Sequence, residues 1–279
     1  MSRKCVHAIF VVLCLNMAMV VAFAQDFHQS YLLAEGNGVS IKNIAGNITV
    51  KGYDGAEIIV TAFKEGRDRD QLSIEDFSTE SQIDIQVKAP PDCYCEATVR
   101  FEISVPQAVS YDYNSFSTAA GNIRIEDLRG KIHADNVSGW ILMRNVAGAM
   151  FASSFSGDVM IDQATETATT LGENSQPRDS ILAKSISGNI KVTLIQLNDS
   201  AMNRMEFSSL SGNVEVRVPE NLGADVEITT MIGRLITDFP LMIAAPPFWF
   251  GGSARGRVGN GAHELIITSV VGNVSLLKN

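Results

Sequence analysis

Apolar and polar positions alternate with a period of two along most of this chain, and glycine punctuates the alternation. From Gly121 to Ile161 the punctuation is even: glycines stand at 121, 130, 139, 148 and 157, nine residues apart. Two and four residues after each glycine come Ile123/Ile125, Ile132/Ala134, Ile141/Met143, Met150/Ala152 and Val159/Ile161. Side chains alternate across a strand, so each pair shares one face and predicts a short strand with that face turned inward. Leu128, Val137, Val146 and Phe155, two residues before the later glycines, read as a continuation of the inward row. A fixed period of this kind predicts a solenoid, in which each repeat buries its apolar row against the next. The closest internal match is at 18 rather than nine, which two strands per coil would give; three per coil also fits.

The same grammar extends in both directions. Upstream it appears in Asn43-Ile44-Ala45-Gly46-Asn47-Ile48, and downstream in Ser187-Gly188-Asn189-Ile190, Ser211-Gly212-Asn213-Val214, Ile232-Gly233-Arg234-Leu235 and Val271-Gly272-Asn273-Val274. Two longer alternating runs, Gln82 to Val87 and Ala97 to Val105, read as antiparallel strands of a side sheet closing the N-terminal end. The stretches 164–180 and 240–262 read as loop insertions. The expected fold is all-β: an N-terminal β region over 25–115, with its antiparallel side sheet, then a parallel β-solenoid or β-helix-like repeat domain over 116–279.

Residues 1–24 do not share this pattern. Arg3 and Lys4 precede a largely apolar run from Ile9 to Val21, and Ala22-Phe23-Ala24 is a small-x-small exit. That reads as a secretory signal peptide, with an uncleaved anchor helix as the alternative. The expected location is therefore the periplasm, the outer surface or the medium, and no later stretch predicts a transmembrane segment. With the signal's two basic residues removed, the charge is 20 − 31 = −11. This argues against a nucleic-acid partner and against electrostatic docking on anionic lipid. Cys93-Tyr94-Cys95 is the cysteine pair outside the signal. It reads as a local disulfide helped by the turn-forming Pro90-Pro91-Asp92, with free thiols or a metal ligand pair as alternatives.

Catalytic signatures are weak. His263-Glu264 lacks the second histidine of a zinc protease and sits in a strand pattern, and the glycine-rich run from Gly251 to Gly261 lacks the lysine and helix of a phosphate loop. The carboxylates Glu126, Asp127, Asp135, Asp158 and Asp162 lie on neighbouring predicted strands, where a pair could serve glycoside hydrolysis or hold Ca²⁺. Acids at such turns are ordinarily solvated, so no catalytic residue, cofactor or metal is expected. Two apolar features carry more weight. Positions one and three after glycine become apolar in successive blocks, predicting an outward patch of Trp140, Leu142, Ala149, Phe151 and Met160. The run Pro246-Pro247-Phe248-Trp249-Phe250 gathers three aromatics in the last insertion. Either the loop folds over the patch as a lid, or Phe248, Trp249 and Phe250 join it as a contact surface for a ligand or second subunit.

The repeated Ser-Gly-Asn units, together with the C-terminal order from Val218-Pro219 through Thr237-Asp238-Phe239-Pro240 to Val271-Gly272-Asn273-Val274, resemble the domain of unknown function 4097. That is a family of bacterial envelope proteins carrying an adhesin label. Trp140, where the unit usually has Asn or Asp, and Val271, where Ser usually precedes the glycine, depart from its pattern. The resemblance implies a β-solenoid and supplies no catalytic motif. The expected function is a non-catalytic binding, adhesion or scaffold module of the cell envelope, contacting a glycan or protein. The alternatives are a polysaccharide-active enzyme and a self-associating structural protein.

Overall fold

A computed structural model of the 279-residue chain describes residues 25–163, 180–195, 197, 204–244 and 251–279. The signal reading of 1–24, nearly all of the 164–180 insertion and the aromatics Phe248, Trp249 and Phe250 lie outside the described residues.

The period-two runs form strands throughout. In chain order they are β1 (Phe27–Tyr31), β2 (Gly38–Ala45), β3 (Ile48–Tyr53), β4 (Ile58–Gly66), β5 (Ser73–Asp76), β6 (Gln82–Lys88), β7 (Ala97–Pro106) and β8 (Tyr111–Ala120). Then follow β9 (Ile123–Glu126), β10 (Gly130–Ser138), β11 (Ile141–Val146), β12 (Met150–Ser156), β13 (Val159–Gln163), β14 (Ile181–Ser187), β15 (Ile190–Thr193) and β16 (Arg204–Ser211). The last are β17 (Val214–Val218), β18 (Ala224–Ile232), β19 (Leu235–Thr237), β20 (Met242–Ala244), β21 (Gly252–Val258), β22 (His263–Val271) and β23 (Val274–Lys278). A single 3-10 turn, Arg69–Gln71, is the only helical element among the described residues.

Two large mixed sheets hold these strands. The first runs β1-β4-β7-β3-β9-β11-β13-β15-β17-β23-β19, and the second β20-β21-β18-β22-β16-β14-β12-β10-β8-β2-β6-β5. From β8 to β17 successive strands alternate between the sheets, and each pairs in parallel with the next of its own sheet. Ile123 is in register with Ile141, and Ile132 with Met150, so the repeating unit is 18 residues and two strands. The five inward pairs expected from the sequence are all buried. Each large apolar side chain so buried contributes roughly 1.5–3 kcal/mol.

The two ends of the unit differ. Passages from the second sheet to the first take two residues, as at Gly121-Asn122, Gly139-Trp140 and Gly157-Asp158, except that from β6 to β7, which spans residues 89–96. Passages in the other direction vary and carry the insertions between β13 and β14 and between β15 and β16. Gly139 shows why the short corner needs glycine: its φ is +121°, and a Cβ there would lie 2.2 Å from the Gly121 carbonyl oxygen of the neighbouring coil. Beside the glycines runs a side-chain ladder. Asn47 Oδ1 accepts the Asn122 backbone N–H (2.9 Å), and Asn122 Oδ1 accepts that of Trp140 (3.0 Å). Asp158, Asn189, Asn213 and Asn273 continue it to the Arg234 backbone N–H. Trp140 is the rung with no oxygen to offer.

Three expectations need correction. Val137 and Phe155 face outward, 54% and 58% exposed, because unbroken alternation in β10 and β12 turns Asn136 and Ser154 inward instead. Leu128 and Val146 are buried as expected, since Asp127 (φ 57°) and Asn145 (φ 52°) adopt the left-handed conformation and reset the phase. The runs β6 and β7 form no separate side sheet: they lie in opposite sheets, each antiparallel to a short-range neighbour, β5 or β4, and parallel to β2 or β3. The segment 240–262 is not all loop, since β21 pairs antiparallel with β18 through Arg255–Glu227 and Arg257–Asp225 ion pairs. The final coil is also out of chain order, with β22 slotted between β16 and β18.

Candidate contact surface

The outward apolar set from Trp140 to Met160 divides between opposite sides of the molecule. Leu142 and Met160 are register partners on the outer face of the first sheet, with Trp140 at the turn before Leu142. Phe151 lies on the outer face of the second sheet, flanked in register by His133 and Leu182. The cause is the alternation itself: equivalent positions in consecutive nine-residue blocks belong to different sheets. Leu142 is only 8% exposed, and Trp140, Met160 and Phe151 are half-buried, so neither half is an open patch. The His133 ring stacks on Phe151, with centroids 4.4 Å apart and planes 10° from parallel. Burial, reinforced by the Lys131 charge, holds the His133 pKa below its ordinary value, while Asp135 opposes the shift.

The polar candidates are occupied in structural roles. Glu126 accepts from Arg124 (2.7 Å) and Arg144 (3.4 Å), and Asp127 accepts from the Asn145 amide at 2.6 Å. Asp158 accepts from the Asn189 backbone N–H at 2.7 Å. Glu126 is on the first sheet and Asp135 on the second, so these two do not face one another; Asp162 shares the outer face of the first sheet with Glu126, both in register with Arg144 between them. Among the described residues no group of three or more His, Cys, Asp and Glu is placed to hold a metal ion. Cys93 and Cys95 are joined as a disulfide with Cα atoms 5.1 Å apart, and Gln71 Oε1 lies 3.2 and 3.5 Å from their sulfurs. Tyr94 between them is almost fully exposed.

A surface that the sequence reading missed lies along the short corner. Three residues before each corner glycine a small polar side chain turns inward, and at most of these positions it seals the neighbouring glycine carbonyl. Thr118 does so at 3.2 Å, Asn136 at 3.3 Å, Ser185 at 3.1 Å, Ser209 at 2.9 Å and Ser269 at 2.9 Å. Asn43 donates to the Val99 carbonyl instead, and Ser154 Oγ makes no hydrogen bond among the described residues. Alternation then forces the next residue outward. Across eight neighbouring strands of the second sheet that residue is Met231, Val270, Leu210, Ile186, Phe155, Val137, Ala119 and Ile44. Met231, Phe155, Val137 and Leu210 are each more than half exposed. With strands about 4.8 Å apart, this uncharged row is roughly 34 Å long. The clue was available: Ser/Thr/Asn-x-x-Gly recurs with an apolar residue at the first x, but the outward direction depends on recognising the sealed polar position before it.

No protein-family model matches the chain, and no curated protein matches it. Among solved structures, a "putative cell adhesion protein" from Clostridium sporogenes is 9% identical over 91% of this chain and 99% of its own, with a TM-score of 0.39. A "putative adhesin" from Bacteroides fragilis is 10% identical over 90% and 96%, with a TM-score of 0.34. A "putative lipid binding protein" from Parabacteroides distasonis is 11% identical over 91% and 96%, with a TM-score of 0.28. At these scores neither a fold nor a function carries over from those proteins to this one.

Proposed function

We propose that this protein is an exported cell-envelope β-solenoid, two strands to a coil, that works as a non-catalytic binding, adhesion or scaffold module. The 18-residue register and the alternation of parallel strands between two sheets support the solenoid reading. The signal-like residues 1–24 support export, and the repeated Ser-Gly-Asn units support membership of the 4097 family. One observation carries the functional reading: an uncharged apolar row stays exposed across eight strands where the fold itself does not require large apolar side chains. Such a continuous row on a water-facing sheet marks a contact surface.

A binding screen of the purified protein against envelope glycans and envelope proteins tests this. Binding should weaken at least tenfold in Phe155→Ser/Leu210→Ser, with the far-UV spectrum unchanged. Binding that is insensitive to the row would remove the assignment.

A further inference from the structure

We infer that the partner of the exposed row is a second copy of this chain. The inference rests on reading the row as a contact surface, and adds the identity of what covers it. Charge is the first argument. The chain carries a net charge of −9, so two copies repel unless they meet through a face free of acids. The row is such a face. Neither the row nor the residues between it and the corner glycines, Ser138, Ser156, Ser187 and Ser211 among them, bear any charge. The outward column on its other side has one acid, Asp135, against two lysines, Lys42 and Lys184. A basic partner would need acids here and an anionic one a basic cluster; an uncharged apolar row suits another uncharged apolar row.

Shape is the second argument. The row is in register from strand to strand, and all eight of its strands end in two-residue turns; the longer passage 89–96 lies beyond its Ile44 end, after β6. A two-fold axis through its midpoint makes it self-complementary. Phe155 then meets Ile186 of the other copy, Val137 meets Leu210, and the small Ala119 faces Val270. Size sets the strength. A footprint of about 34 Å by about 10 Å is well under the ~800 Å² per partner of a stable interface, so the dimer is weak and reversible.

Sedimentation equilibrium of the purified protein from ~1 to ~500 µM tests this, spanning the range where small interfaces associate. The weight-average mass should climb with concentration toward twice the monomer. The variant Phe155→Glu/Leu210→Glu, which places an acid on each half of the row, should stay monomeric while keeping the wild-type far-UV spectrum and melting temperature. Phe155→Leu should still associate. A wild type that is monomeric throughout, or a double variant that associates like wild type, would overturn the inference. If the wild type is monomeric but the double variant loses partners in the envelope screen, only the second-copy assignment falls. If neither measurement responds to the row, the contact reading falls with it.

Discussion

Gly139 and Asn189 stabilise the same corner in different ways, and substitution separates them. At Gly139 any side chain meets both a left-handed φ and the carbonyl of Gly121, so Gly139→Ala should cost about 2–4 kcal/mol and show as a large fall in melting temperature. Asn189 contributes an oxygen: its Oδ1 accepts the Asn213 backbone N–H at 2.9 Å. Asn189→Ala should cost about 1 kcal/mol in denaturant unfolding, and Asn189→Asp should destabilise too at neutral pH, because it replaces the amide that donates to Asp158 Oδ1 (3.2 Å) with a second carboxylate. The glycine was legible in the sequence as a period. The asparagine ladder was legible as a recurring residue type but not as a set of bonds, because a side chain reaching the next coil implies a stacking distance that spacing along one chain does not contain.

At the level of strands, β10 and β12 show how far pattern reading goes. Their inward residues Ile132, Ala134, Met150 and Ala152 follow from alternation alone. At Val137 and Phe155 phase outweighs hydrophobicity: Asn136 and Ser154 already hold the inward position, so the apolar residue after each is turned out. The glycines of β21 argue against a strand, but its Arg255 and Arg257 find Glu227 and Asp225 on β18. Between β10 and β12, His133 stacked on Phe151 makes the pair sensitive to pH. Its folded pKa is lowered by burial and by Lys131, so the folded state resists protonation. The sign follows: stability is complete above the unfolded value of about 6.5 and is lost as pH falls below it. Melting temperature should therefore fall on acidification below that value, and His133→Gln should flatten the dependence in that window.

From β8 to β17 the two sheets repeat a two-strand unit, and this sets the response to deletion there. Removing residues 139–156 takes out one full unit, so β10 would meet β14 with the corner glycines still aligned. That variant should fold with a strand-rich far-UV spectrum and a modestly lower melting temperature, the loss being one nearest-neighbour interface. Removing the nine residues 139–147 should prevent folding, because every later strand would be delivered to the wrong sheet. The nine-residue spacing was the plainest signal in the sequence, yet it counts half-units; both ends of each unit use glycine, and only pairing across coils tells one end from the other. The out-of-order placement of β22 had no local signature, since it depends on which strand the long return from β19 reaches.

The contrast between the two ends of each unit reaches beyond stability. From β8 onward the chain passes from the second sheet to the first in two residues every time; where it passes back it takes anything from a few residues to long insertions. The molecule thus has one straight edge and one ragged edge. Sequence drift can lengthen or replace the loops of the ragged edge while the straight edge, with its row of large side chains, keeps its spacing. A change in the loops of one edge therefore need not disturb the other.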